Sequence, residues 1–170
     1  MIEALLEGEV CFRVEVGPDD PTRIADLVTA TGMFSAGEAD LARELVEERL
    51  ARGLASGYRF LFAERDGRLL GYACFGPVPL TRSSFDLYWI AVGPGVRHGG
   101  IGRRLIQRVE RMVVELGGAR LYADTSLRPD YEPSRAFYRA MGYVEAARFA
   151  DFYAPGDGKI VFEKQLVVET

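Results

Sequence analysis

Histidine occurs once in this chain of 170 residues, at His98, and cysteine only twice, at Cys11 and Cys74. With so few imidazoles and thiols, neither a zinc site of His/Cys spacing nor a Ser-His-Asp triad can be assembled, and no metal is expected. Both cysteines lie in apolar, strand-like stretches and read as reduced core thiols rather than a disulfide. Long apolar runs are also missing. No stretch approaches the roughly 18 residues of a membrane span, and the acidic start, Met1 to Val10, lacks the charged and apolar regions of a signal peptide. A basic excess is absent as well, since the net charge is -4, which argues against nucleic acid as a partner. The expectation is a cytoplasmic protein whose chemistry rests on carboxylates, tyrosines and backbone amides.

What the chain does contain is a hydrophobic fraction of 48%, enough for one domain over residues 1–170 with a full core. Turn signals divide it into alternating elements. Cys11 to Val16 alternates as a strand, and Thr22 to Ala30 reads as a helix with Ile24, Leu27 and Val28 on one face. A second helix, from about Gly37 to Arg52, places Leu41, Leu45, Val46 and Leu50 at helical spacing. Tyr58 to Glu64 and Arg68 to Phe75 flank Arg65-Asp66-Gly67, a hairpin signal. Phe85 to Val92 is nearly apolar throughout and reads as a central strand covered on both faces. Ile101 to Leu116 carries one apolar helical stripe and stops at Gly117-Gly118. Arg120 to Thr125 is a strand, parallel to its predecessor if the helix is a right-handed crossover. A short helix, Ser134 to Met141, and two strand-like segments, Ala146 to Ala154 and Lys159 to Val168, complete an α/β order with antiparallel strands at both ends.

The most specific local pattern is Arg97-His98-Gly99-Gly100-Ile101-Gly102, which leaves the strand ending Ile90-Ala91-Val92 and opens a long amphipathic helix. The glycines clear side chains from the backbone, and the first N–H groups of the helix have no intrahelical acceptor, so the loop suits a pyrophosphate. Arg103 and Arg104 oppose the helix dipole there, at a cost of about 0.3–1 kcal/mol each, which an anion would offset.

On this loop the chain resembles the GNAT superfamily of acyl-CoA N-acyltransferases. Two further motifs carry the likeness: the late helix Ser134-Arg135-Ala136-Phe137-Tyr138-Arg139-Ala140-Met141-Gly142-Tyr143, with a tyrosine four residues before Gly-Tyr, and the Asp66-Gly67 hairpin leading to Leu70-Gly71-Tyr72. In its Ile-Ala-Val before the loop it looks closest to enzymes that acetylate protein N-terminal amines. The resemblance implies a mixed central sheet of about seven strands, with antiparallel ends and a parallel central pair, flanked by about four helices. It implies acetyl-CoA as co-substrate, held by Ile90, Ala91, Val92, Arg97, His98, Gly99, Gly100, Ile101, Gly102 and Arg103. Two departures stand out: Tyr131 occupies the place where many relatives carry asparagine, and Leu127 to Glu132 is longer than usual.

Acyl transfer to an amine needs a neutral nucleophile, a polarised thioester carbonyl and a stabilised leaving thiolate. Asp86 and Asp124 are the candidate bases. Asp86 lies inside an otherwise apolar strand, where an unpaired charge is costly, although it could equally be a charge at a frayed strand start beside Ser83-Ser84. Asp124, before Thr125-Ser126, is also a natural Asx turn. The N–H of Val92 becomes the oxyanion donor if the strand parts from its neighbour beyond Ile90, as the resemblance implies. Tyr138 is the candidate acid, its structural alternative being a half-buried packing role. The expected partner is an amine-bearing acceptor and, at most, a second copy of the chain.

Two other functions fit parts of the pattern. A nicotinamide-dependent oxidoreductase would use Gly100-Ile101-Gly102 and Asp124, but Leu105 stands at the third glycine position and Val92 to Gly100 is too long for the tight first turn. A non-catalytic acyl-CoA sensor would keep the loop, yet it would have no use for Tyr138 and Asp86.

Overall fold

A computed structural model describes residues 8–96 and 99–166. Its strands are β1 (Cys11–Arg13), β2 (Arg59–Arg65), β3 (Arg68–Pro77), β4 (Ser84–Val92), β5 (Arg120–Ser126), β6 (Val144–Ala154) and β7 (Asp157–Gln165). Its helices are α1 (Asp20–Ala30), α2 (Ala36–Arg52), α3 (Ile101–Glu115) and α4 (Glu132–Ala140). The sheet runs β1-β2-β3-β4-β5-β7-β6. β4 and β5 pair in parallel, whereas β1/β2, β2/β3, β5/β7 and β6/β7 pair antiparallel. Among the described residues no helix is long and apolar enough to cross a membrane.

Two compact units divide the chain, one of Met1–Gly76 with Trp89–Val109, the other of Pro77–Tyr88 with Glu110–Thr170. In the first, Asp66 and Gly67 adopt positive φ angles of 50° and 74°, the geometry that lets a two-residue loop close the β2–β3 hairpin. Ser35 and Glu38 form a capping box at the start of α2, which satisfies two backbone donors that a helix end leaves open. α1 and α2 pack on β2 and β3 through Ile24, Val28, Ala39, Ala42, Val46, Phe60, Phe62, Tyr72 and Cys74. The buried face of α2 is therefore Ala39, Ala42 and Val46, while Leu41 and Leu50 are exposed. Small alanines permit close approach to the neighbouring surface, a preference that counting large apolar residues does not register. Cys74 is buried as expected, but Cys11 is exposed, because β1 is a three-residue edge strand that leaves it uncovered.

An ion network ties β1, α1 and β2 together. Arg13 donates to both oxygens of Asp20, at 2.7 and 2.9 Å, and to Glu64 at 2.6 Å, while Arg23 reaches Glu64 at 2.9 Å. Asp20 also accepts the Gly17 N–H at 2.7 Å and is 2% exposed. Burial is the largest single influence on Asp20 and opposes its charge, but the Arg13 bonds, the Gly17 N–H and the charges of Arg13 and Arg23 together outweigh it and hold the carboxyl below its ordinary range.

The second unit is built on β5, β6, β7 and the first residues of β4. Phe85, Leu87, Leu121, Ala123, Ile160 and Phe162 are buried. The opposite face of the same strands is open: Asp86 is half-buried, and Tyr88 and Asp124 are exposed. The expectation that β4 is covered on both faces thus fails for its first half, and the polar residue within its apolar run marks the uncovered side.

Candidate active site

Strand register assembles the open face. Asp86 is the parallel partner of Tyr122, Tyr122 pairs with Glu163, Asp124 with Val161 and Ser126 with Lys159. Paired residues share a face of the sheet. The Lys159 ammonium lies 2.9 Å from Asp124 Oδ2 and 4.2 Å from the centroid of the Phe152 ring, with Phe149 at 5.7 Å. Asp86 makes no hydrogen bond or ion pair among the described residues. Burial raises its carboxyl above the ordinary aspartate range, the charge of Asp124 adds to the rise, and Lys159 opposes it. The structure thus brings both candidate carboxylates into one electrostatic group and adds a lysine that sequence reasoning missed. Lys159 was legible only as the start of a strand, because its pairing with Asp124 depends on the β5–β7 register.

Tyr138 sits on α4, in the same unit as both aspartates. Its ring stacks on Phe162 at 5.4 Å and meets the edge of Tyr143 at 5.6 Å. The side chain is 7% exposed, and burial pushes the phenol's pKa upward, with Asp124 adding to the shift. The C-terminal end of α4 is pinned: Lys164 donates to the Met141 carbonyl at 2.8 Å and to Glu110 at 3.0 Å, and the Tyr143 hydroxyl donates to Glu110 at 3.0 Å. At the N-terminal end, the buried Arg135 donates to the carbonyls of Ser126 and Arg128 at 2.6 and 2.9 Å, fixing the connection from β5. Arg135 was missed as well; a buried arginine inside an amphipathic helix has no distinct sequence signature. Within the same connection, Pro129–Tyr131 forms a short 3-10 turn, and the Arg128 guanidinium lies 5.8 Å from the Tyr131 ring.

The glycine loop belongs to the first unit. Gly93 donates to the Leu70 carbonyl at 2.8 Å, and a Cβ added at Gly71 would lie 2.8 Å from the Ala91 carbonyl oxygen, so the end of β4 is held tightly against β3. Of the expected binding residues, Ile90 and Val92 are half-buried, and Ala91 and Ile101 are buried. Arg97 and His98 lie outside the described residues. Gly100 has φ +79°, and a Cβ there would meet nothing within 4 Å. The Arg104 N–H accepts the first helical role by donating to the Gly100 carbonyl at 3.0 Å, which leaves the N–H groups of Ile101, Gly102 and Arg103 at a helix start. This arrangement fits a diphosphate. Of the two first-turn arginines, Arg104 is accounted for differently: its guanidinium, like that of Arg108, lies against the Phe12 ring, at 5.0 and 4.1 Å. Arg103 is exposed.

The β4–β5 register ends at Leu87 and Ala123, while β4 runs on to Val92 and β5 to Ser126. The pairing therefore stops three residues before Ile90, the position beyond which a parting of the strands was expected.

Comparison with known proteins identifies the family and the fold. The family model of the acetyltransferase (GNAT) family matches residues 26–143. A solved GNAT-family protein from Desulfovibrio desulfuricans is 43% identical, with a TM-score of 0.90 over 94% of this chain and 100% of its own. The amino-acid acetyltransferase of Azotobacter vinelandii is 30% identical over 126 residues, 74% of this chain but 27% of that protein, so the chain spans about a quarter of that relative's length. The ribosomal-protein-S18-alanine N-acetyltransferase of Escherichia coli shares the fold, with a TM-score of 0.75 at 16% identity over 95% of this chain and 97% of its own. With more than half its length matched by the family model, and a solved relative of the same size at 43% identity, the chain belongs to the GNAT acetyltransferase family.

Proposed function

We propose that this protein transfers an acetyl group from acetyl-CoA to a primary amine by direct attack. The observation that carries the reading is the placement of Asp86, Asp124 and Tyr138 in one unit of a GNAT chain whose helix α3 starts directly after Gly100, where a Cβ would meet nothing within 4 Å. In this reading Gly99, Gly100, Ile101, Gly102 and Arg103 receive the diphosphate, together with Arg97 and His98. The backbone of Ile90, Ala91 and Val92 lies along the pantetheine arm, and the Val92 N–H polarises the thioester carbonyl. The acceptor is a small amine, an amino acid or a peptide N-terminus, and the protein acts in the cytoplasm.

Asp86, directly or through a water, takes the proton that the ammonium must lose before attack. The nitrogen then bonds to the carbonyl carbon and the carbon–sulfur bond breaks. Tyr138 hydrogen-bonds the departing sulfur and passes its proton to it as charge builds. The second proton shed by the nitrogen restores the phenol, so amine and thioester become amide and thiol. A phenol near pKa 10 donating to a thiolate near 8.5 already runs uphill by about 2 kcal/mol, and the upward shift of Tyr138 steepens this. Its contribution is therefore hydrogen-bond stabilisation with late transfer. Melting scans test the binding half of the reading: acetyl-CoA at one hundred times its Kd should add about 2.7 kcal/mol of stability, with no shift from NADH. An equal shift with NADH, or none with acetyl-CoA, would overturn it.

A further inference from the structure

We propose that the acceptor is a primary amine with no carboxylate beside it, carried on an apolar or aromatic body, and that the open face of β4, β5 and β7 selects it by having, among the described residues, no uncommitted cation. The inference rests on the acetyltransferase reading and names its substrate class.

A free amino acid brings a carboxylate two bonds from its amine, and a site that takes it must place a cation there, since an unpaired carboxylate loses its hydration for nothing. On the paired strands of this face the cations are Arg120 and Lys159. Arg120 lies 3.6 Å from Glu163, diagonally across the β5–β7 pair on the same face. Lys159 is held on two sides, by Asp124 at 2.9 Å and by the Phe152 ring at 4.2 Å, and its side chain is only 16% exposed. Turning Lys159 toward a substrate carboxylate would strip Asp124 of its partner and leave two unbalanced aspartates close together. The carboxylates are the group in surplus. Of the carboxylates on this face, Asp124 and Glu163 are paired and Asp86 makes no ion pair among the described residues; it is half-buried, so it matches the single positive charge of an ammonium group.

The rest of the surface suits an apolar body. Tyr88 is 39% exposed, Phe149 47% and Phe152 52%, with Phe149 and Phe152 6.1 Å apart. Flat aromatic surface of this kind gains from covering apolar or aromatic groups and offers nothing to a second carboxylate. Amides and simple amines therefore belong here, and free acids do not.

Three probes differing only beside the amine separate the cases: phenethylamine, L-phenylalaninamide and L-phenylalanine, each with saturating acetyl-CoA, and L-glutamate as a dicarboxylate. The expected result is a kcat/KM for phenethylamine and the amide at least tenfold above that for phenylalanine, with glutamate lower still. In Lys159→Gln the preference for amide over acid should persist, because Lys159 serves Asp124 and not the substrate. Phenylalanine or glutamate used as well as the amide would overturn the proposal and leave the acetyltransferase reading standing. So would a Lys159→Gln variant that loses activity on free acids alone. If no probe is acetylated while acetyl-CoA still raises the melting temperature, the acceptor class is wrong. If acetyl-CoA raises nothing, the underlying reading fails with it.

Discussion

Tyr138 keeps its proton more tightly than a free phenol, because burial disfavours the phenolate and the charge of Asp124 adds to that. Replacing it with phenylalanine preserves the stacking on Phe162 and removes only the hydroxyl. Tyr138→Phe should therefore fold normally and lose roughly 10²- to 10⁴-fold in kcat, with acetyl-CoA affinity changed far less. Steady-state kinetics alongside a binding measurement check this, and near-normal turnover would return the residue to packing. Asp86 makes the complementary prediction. Its raised pKa places the acidic limb of kcat/KM above the unperturbed aspartate value near 3.9, with activity rising as pH climbs through the group and the carboxylate forms. Asp86→Asn should remove that limb and Asp124→Asn should leave it. A limb lost only in Asp124→Asn would put the base on β5. These two aspartates and Tyr138 were legible in the sequence because each breaks a local pattern or completes a motif. Lys159 breaks none: a lysine at a strand start is ordinary until the register sets it against Asp124.

At the scale of elements, the entry to α1 depends on a network rather than a cap. Asp20 is nearly sealed from water between Arg13, Arg23 and the Gly17 N–H. Removing it leaves Arg13 without its strongest partner, so Asp20→Ala should cost about 3 kcal/mol in denaturant unfolding. The same network fixes a pH dependence. Asp20 and Glu64 both titrate below their ordinary ranges in the fold. The stability they confer is complete above the unfolded values of about 3.9 and 4.3, and is lost as pH falls through the lower folded values. Acid unfolding followed in the wild type and in Asp20→Ala should show a shallower loss in the variant; identical profiles would place the acid-sensitive groups elsewhere. Gly71→Ala should destabilise the β3–β4 contact by about 1–3 kcal/mol, because the added carbon meets the Ala91 carbonyl oxygen, which is backbone and cannot swing aside. Element boundaries were readable to within a few residues, since the turns carry Asp66-Gly67 and the helices carry clear stripes. The faces were harder. The α2 stripe of leucines points largely to solvent while alanines pack, and β4 reads as doubly covered when half of one face is open. Which side of an apolar element is buried is decided by its neighbours, and those are set by topology.

For the whole molecule, the parallel β4–β5 pair follows from the crossover helix α3, as expected from the sequence, whereas the place of β7 between β5 and β6 depends on the β5–β7 pairing, which no turn signal records. The glycine loop predicts a global response to ligand. At one hundred times Kd, acetyl-CoA should raise the melting temperature by about 5–11 °C for a chain of this size. Gly102→Val should abolish the rise, because a β-branched side chain would crowd the diphosphate at the first turn of α3. Catalysis is the central claim, and one measurement addresses it most directly: release of CoA thiol from acetyl-CoA, read together with mass-spectrometric counting of the acetylated amine, in the presence of phenethylamine or phenylalaninamide. The account predicts thiol and N-acetyl product in equal amounts, both dependent on the amine and both falling at least 10²-fold in Tyr138→Phe. Tight binding of acetyl-CoA with no acetylated product from either amine, nor from free amino acids or peptide N-termini added to the panel, would contradict it.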